Sequence, residues 1–215
     1  MYEEKLKNNL FEVWGIPKSY VMKSLEDFYV HPSNEEFFED FFTPYLDNLD
    51  QTVKRPVGIF LWGDNGTGKT HLMTSLLKEV YEKFPGDKRI MMISAQDIMT
   101  LKTANWGNTT DNVNFERFKR AHRCWHLLIE DLGKEYEDNQ GISLQALDSL
   151  LRTRVQAGLV THFTSNLSPE NLHEKYSRDF KSLVLESTVQ RRLRGKDYRV
   201  NISKENFEYF KRLKS

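Results

Sequence analysis

Gly63-Asp64-Asn65-Gly66-Thr67-Gly68-Lys69-Thr70 spells G-x-x-x-x-G-K-[ST], the pattern of a loop that cradles nucleotide phosphates. The apolar run Val57 to Trp62 leads into it, and Leu72, Met73, Leu76, Leu77, Val80 and Tyr81 leave it at helical spacing. Strand, glycine-rich turn and helix thus stand in the order that aims successive backbone N–H groups and a helix N-terminus at an anion. Lys69 is expected to meet the β- and γ-phosphates of ATP, and the Thr70 hydroxyl to hold Mg²⁺. A glycine-rich turn with a chance lysine would need neither flank.

Downstream, Arg89 to Ser94, Trp125 to Ile129 and Leu159 to Thr164 read as further strands, and Tyr198, Val200 and Ile202 alternate as a fifth. Between them, a short helix is expected from Gln96. A second follows Phe115 and Phe118, and a third, Ser143 to Ala157, carries Leu144, Leu147, Leu150, Leu151 and Val155 before Gly158. Strands separated by helices imply an α/β fold with a parallel sheet covered on both faces. Ahead of the loop, Tyr2, Leu6, Leu10 and Val13 predict a short amphipathic helix over residues 1–14. Ser33 to Glu36 has the form of a capping box opening an aromatic helix, Phe37 to Leu49, bent at Pro44.

Phosphate binding alone does not hydrolyse ATP. A carboxylate must hold Mg²⁺ and another group must orient the attacking water. Leu127-Leu128-Ile129-Glu130-Asp131, an apolar strand ending in adjacent acids, supplies both, with Thr70 completing the metal set. Thr164-Ser165-Asn166 ends the fourth strand with an amide where a γ-phosphate or the lytic water could be reached. Arg191, Arg192 and Arg194 fall near the end of a helix expected from about Ser187, where one of them could reach a neighbouring subunit's ATP or simply face solvent.

The chain has 215 residues, enough for one domain with a full core, and its 31 basic and 31 acidic side chains cancel. Those charges are unevenly placed: residues 1–50 hold 4 basic and 11 acidic side chains, residues 187–215 hold 9 and 3. Such an acidic front and basic tail suit either contact between copies or solvated helix faces. The single cysteine, Cys124, excludes an internal disulfide. His122 and His126 flank it at i, i+4 spacing, a weak zinc pattern without a second ligand pair. No apolar stretch approaches membrane-spanning length and no leader pattern opens the chain, so it reads as soluble and cytoplasmic, with no membrane partner.

In combination, these motifs resemble the AAA+ ATPases, and within them the DnaC/DnaI helicase loaders and IstB-type transposition ATPases. Gly15-Ile16-Pro17 with Ser24-Leu25-Glu26-Asp27-Phe28, the loop Gly63 to Thr70 with His71-Leu72, Leu127 to Gly133, Thr164 to Leu167 and Arg192-Leu193 carry the likeness, in the family's order. The resemblance implies a P-loop NTPase sheet of order 5-1-4-3-2 spanning a domain from 15 to 215. By it the cofactors are ATP and Mg²⁺, His71 belongs to the nucleotide site, Asn166 is sensor 1, Arg192 is an arginine finger acting in trans, and Lys18 to Phe28 passes near the adenine. Its implied partners are further copies of the chain in an ATP-dependent oligomer, DNA (single-stranded for a loader), and a replicative helicase or a transposase.

Three departures from the family stand out. The acids come as Glu130 then Asp131, where the family has two aspartates or Asp then Glu, so slow hydrolysis is expected. Only about fourteen residues precede Gly15, and about a dozen follow the expected last strand, so the C-terminal helical lid reads as absent or truncated. DNA contacts are expected at Lys102, Arg117, Lys119 and Arg120, with Arg123 and Trp106 nearby, or that cluster is a solvated helix. A small-molecule kinase on the same phosphate loop remains a different possible use, though Asn166 and the Arg192 region fit AAA+ better.

Overall fold

The computed structural model describes residues 9–86, 89–104, 112–135, 141–199 and, near the C-terminus, 207, 209 and 211. Five strands form one parallel sheet: β1 (Gly58–Trp62), β2 (Ile90–Ser94), β3 (His126–Leu132), β4 (Val160–Ser165) and β5 (Thr188–Arg192), in the order β2-β3-β4-β1-β5. Read from the other edge this is 5-1-4-3-2. Five helices of the described chain pack on the sheet: α1 (Lys69–Lys83), α2 (Ile98–Thr103), α3 (Asn112–Arg123), α4 (Ile142–Gln156) and α5 (Arg178–Ser187).

The inner strands are buried almost throughout because both faces are covered. Their side chains still alternate between two cores. Ile59, Leu61, Met92 and Leu128 join Leu72, Met73, Leu76 and Val80 of α1 on one face, while Phe60, Ile93, Leu127, Ile129 and Phe163 meet α2, α4 and α5 on the other. The aromatic stretch completes the α1 side, with Phe37, Phe42 and Leu49 buried there.

Four expectations change. The fifth strand is Thr188–Arg192, not Tyr198 to Ile202; it pairs with β1 from Gly58↔Thr188 to Trp62↔Arg192. An edge strand has one neighbour and tolerates polar residues, so Gln190-Arg191-Arg192 can be strand although they read as a helix end. Arg192 therefore closes β5, and Val200 and Ile202 lie outside the described residues.

The N-terminal helix, described over residues 9–13, buries a different face from the expected one. Leu10 and Val13 are 39% and 66% exposed, while Phe11 and Trp14 are buried against Tyr81 of α1, with ring centroids 5.6 and 5.0 Å away. Each aromatic ring hides on the order of 150–250 Å², so the aromatic face wins over the aliphatic one. Tyr2 and Leu6 lie outside the described residues. The Trp14 carbonyl then accepts from Met92 N–H (2.8 Å), covering the outer edge of β2.

No capping box forms at Ser33. His31 Nδ1 accepts from Ser33 N–H (3.2 Å), and the Asn34 amide is used elsewhere, donating to Arg194 O (2.7 Å) and accepting from Arg194 N–H (2.9 Å). At Pro44 the helix widens rather than simply bending: Phe38–Phe42 is a π-helical stretch and Thr43 N–H reaches back to Phe38 O, which accommodates a proline that has no N–H to donate.

Candidate nucleotide site

The phosphate loop joins β1 to α1, and Gly68 caps the helix in the left-handed region at φ 97°. Lys69 is buried and curls back over the loop, donating to Gly63 O and Asp64 O (2.8 Å each) and to Asn166 Oδ1 (3.0 Å). Burial lowers its pKa to about 8, with Asp131 opposing. An arriving triphosphate would reverse that shift, because it supplies the anionic partner a desolvated ammonium lacks. Asn166, at the end of β4, also donates from Nδ2 to Asn65 Oδ1 (3.0 Å), so it ties the loop to the next strand.

Glu130 and Asp131 are neighbours that diverge. Glu130 Oε1 accepts from the Thr70 hydroxyl at 2.5 Å, and its pKa is raised chiefly by burial, with the Thr70 bond opposing. A hydroxyl facing a carboxylate is the hard-oxygen donor pair that Mg²⁺ takes, so these residues fit that ion. Asp131 sits at φ 57°, where the β3–β4 register shifts between Ile129 and Leu132. Its N–H donates to Thr164 Oγ1 (3.1 Å), and its carboxylate meets Lys134 Nζ at 2.9 Å. The left-handed residue turns the strand end so that the two acids serve different partners.

These groups open onto a cavity of about 340 Å³. Its walls include Asn65 to His71, Glu130, Asp131 and Asn166, with Tyr20, Lys23, Asp27 and Phe28 of the segment expected near the adenine, and also residues that the sequence did not mark as part of the site: Tyr29, Lys134, Tyr198 and Arg199. Phe28 lies so close to Gly68 that a Cβ there would be 2.8 Å from its ring. On the far side, Tyr198 N–H donates to Gly66 O (3.1 Å), and a Cβ on Gly66 would fall 1.7 Å from Asp197 Oδ1. The chain after β5 is thus laid against the phosphate loop, and only glycine leaves room for it. The alternation of Tyr198 with Val200 and Ile202 suggests a strand, which hides Tyr198 and Arg199 as residues of the site.

His71 lines the cavity but spends its ring on the entering segment, with Nε2 2.9 Å from Ser24 O and Phe28 edge-on at 5.5 Å. Lys78, two turns further along α1, donates to Tyr20 O (2.8 Å), Val21 O (3.3 Å) and Lys23 O. A buried lysine satisfied by carbonyls thereby fixes residues 18–28 beside the site, a role with no sequence signature.

Arg192 stacks over Trp62 (5.1 Å) and pairs with Asp64 of its own phosphate loop at 3.6 Å, with 45% of its side chain exposed. Among the expected DNA contacts, Lys102 closes α2, Arg117 Nη1 donates to Asn114 Oδ1 (3.4 Å) and Lys119 pairs with Glu116 (2.7 Å). Arg120 differs: its guanidinium packs over Trp14 at 4.8 Å, and its Nε and one terminal nitrogen have no exposed surface. Part of this guanidinium is thus engaged in packing. Trp106 lies outside the described residues. His122, Cys124 and His126 do not converge either: His122 faces Phe118, Cys124 is buried beside Arg154, and His126 stacks on His162. Among the described residues no three His, Cys, Asp or Glu side chains gather as a metal site, and no helix is long and apolar enough to cross a membrane.

A parallel sheet of order 5-1-4-3-2, with the phosphate loop after β1, acids ending β3 and asparagine following β4, defines the AAA+ class of P-loop proteins. The family model of the bacterial DnaA ATPase domain matches residues 25–174, and the chain belongs to that family. The chromosomal replication initiator DnaA of Bacteroides thetaiotaomicron is 26% identical over 192 residues, 73% of this chain and 41% of the relative. The replicative helicase loader DnaI of Bacillus subtilis is 26% identical over 139 residues, 63% of this chain and 42% of the relative. The chain therefore spans about two fifths of these relatives. A crystal structure of the DnaC helicase loader has the same fold, with TM-score 0.69 at 20% identity over 83% of this chain and 100% of that one.

Proposed function

We propose that this AAA+ protein binds and slowly hydrolyses ATP, and that it acts in DNA replication as a helicase-loader-like assembly factor. The observation that carries the nucleotide reading is the convergence of Lys69, Asn166 and the Thr70–Glu130 pair on one cavity at the mouth of the phosphate loop. Lys69 exchanges its carbonyl partners for phosphate oxygens. Thr70 and Glu130 would hold Mg²⁺, which would neutralise phosphate charge. Asp131 and Asn166 orient the attacking water. Glu130 thus takes the metal side and Asp131, with the shorter arm, the water side, which is the reason hydrolysis is slow.

Arg192 reaches the ATP of a neighbouring copy once it leaves Asp64, an exchange that costs little because exposed pairs are worth at most about 1 kcal/mol. Lys102, Arg117 and Lys119 offer phosphate contacts to single-stranded DNA. The DnaI and DnaC likenesses favour a replicative helicase as the protein partner. ATPase rate and particle mass, each with and without single-stranded DNA, test the reading together. ATP-dependent assembly with stimulated turnover is expected. A monomer that turns over ATP only with a small acceptor would replace it with a kinase.

A further inference from the structure

Lys134 joins Lys23, Lys69 and Arg199 as a cation of the cavity wall, and its mounting is unusual. It follows the strand-end turn, where Lys134 N–H donates to Asp131 O at 3.0 Å. The backbone on both sides of it is clamped by the buried carboxylate of Glu135 together with Lys175. That carboxylate accepts from Gly133 N–H (3.0 Å) and the Tyr176 hydroxyl, and lies 3.3 Å from Lys175 Nζ. Lys175 in turn donates to Gly133 O (2.8 Å) and Glu135 O (3.2 Å). A surface lysine needs no such support; a lysine that must present its ammonium at one place does.

The side chain itself is held loosely. Its contact with Asp131 is a pair 43% and 35% exposed, of a kind worth at most about 1 kcal/mol. Lys134 shares the cavity with Thr70 and Asn166, and its charge is felt at both Lys69 and Glu130. A terminal phosphate carries more negative charge than one carboxylate and offers three acceptor oxygens, so it competes well for that ammonium. We propose that Lys134 is a phosphate-sensing cation in cis, paired with Asp131 until ATP arrives and then transferred to the γ-phosphate, which distinguishes ATP from ADP. The transfer also frees Asp131 for water, so nucleotide recognition and exposure of the second acid become one event. The proposal rests on the reading of this cavity as an ATP site.

Equilibrium titration of the full chain with Mg-ATP and with Mg-ADP tests it. Lys134→Ala is expected to weaken ATP about tenfold and ADP less than twofold, and Lys134→Arg to restore most of the ATP affinity. Equal weakening of both nucleotides, no weakening of either, or an arginine variant as weak as the alanine one would overturn the assignment. Wild-type protein that binds neither nucleotide would instead overturn the reading of the cavity, before Lys134 is considered.

Discussion

The two ends of the sheet hold polar networks of opposite character. At the C-terminal ends of β1, β3 and β4, Lys69, Glu130, Asp131 and Asn166 bond to groups a nucleotide or metal could replace. At the other end, every member is sealed. His162 Nδ1 accepts from Ile59 N–H (3.1 Å), which leaves its Nε2–H to donate to His126 Nδ1 (2.9 Å). His126 Nε2–H then faces Thr52 Oγ1 (3.3 Å), whose hydroxyl donates to Leu49 O (2.6 Å). Beside them Arg154, fully buried, donates to Ala121 O, Cys124 O, Val160 O and Thr161 Oγ1 at 2.6 to 3.0 Å. Its partners are mostly carbonyls, two of them at the negative end of α3. A buried polar group marks function where its partners are exchangeable, and architecture where they are not.

The largest effect should come from the sealed end. Arg154→Leu would leave several buried carbonyls without donors, a cost of about 3–5 kcal/mol in urea unfolding. Nucleotide affinity of the protein still folded should not change. A loss under about 1 kcal/mol would show that Arg154 is as replaceable as the cavity lysines and would erase the distinction. Lys69→Ala should do the reverse. ATP binding falls at least about 100-fold, or about 2.7 kcal/mol, while the urea midpoint holds or rises because a desolvated cation has been removed.

Acid should strike the sealed end next. Burial holds His162 at about 3, and it holds His126 well below the ordinary histidine value, with His162 and Arg154 adding to the shift. The folded chain therefore stays neutral at these rings while the unfolded chain takes up protons below about pH 6.5. Stability is fully present above that pH and is lost as pH falls toward the folded value. His162 alone should remove about 2 kcal/mol between pH 8 and pH 5. His162→Gln, which can still accept from Ile59, should flatten the pH dependence of urea unfolding by about that amount. Parallel curves for the two proteins would remove the argument.

The open end was largely legible in the sequence, because its chemistry depends on local spacing: Gly63 to Thr70, Glu130-Asp131 and Asn166 each sit on one turn or strand end. The sealed end was not. Arg154 lies on a well-patterned helix and His162 inside a strand, and nothing local says that 33 residues separate Arg154 from the Ala121 carbonyl it caps. Phe11 and Trp14 displaced Leu10 and Val13 for a related reason, since only the presence of Tyr81 decides which face is worth burying. Thr188–Arg192 went unread as a strand because β1, its single neighbour, supplies the pairing that its own residues do not advertise.

Arg192 stands at the open end, on its outermost strand, and so sharpens the comparison. It stands on an edge strand, half-exposed, holding Asp64 of the phosphate loop across 3.6 Å. If that pair were architectural, Arg192→Ala would lower stability and loosen ATP binding in the monomer. An exposed pair predicts otherwise: less than about 1 kcal/mol in urea unfolding and ATP affinity within twofold. The effect should appear only where copies meet, as a loss of turnover in assembled protein that dilution to monomers abolishes. Equal turnover of wild type and variant at assembling concentrations would leave Arg192 an ordinary exposed charge that acts on nothing beyond Asp64.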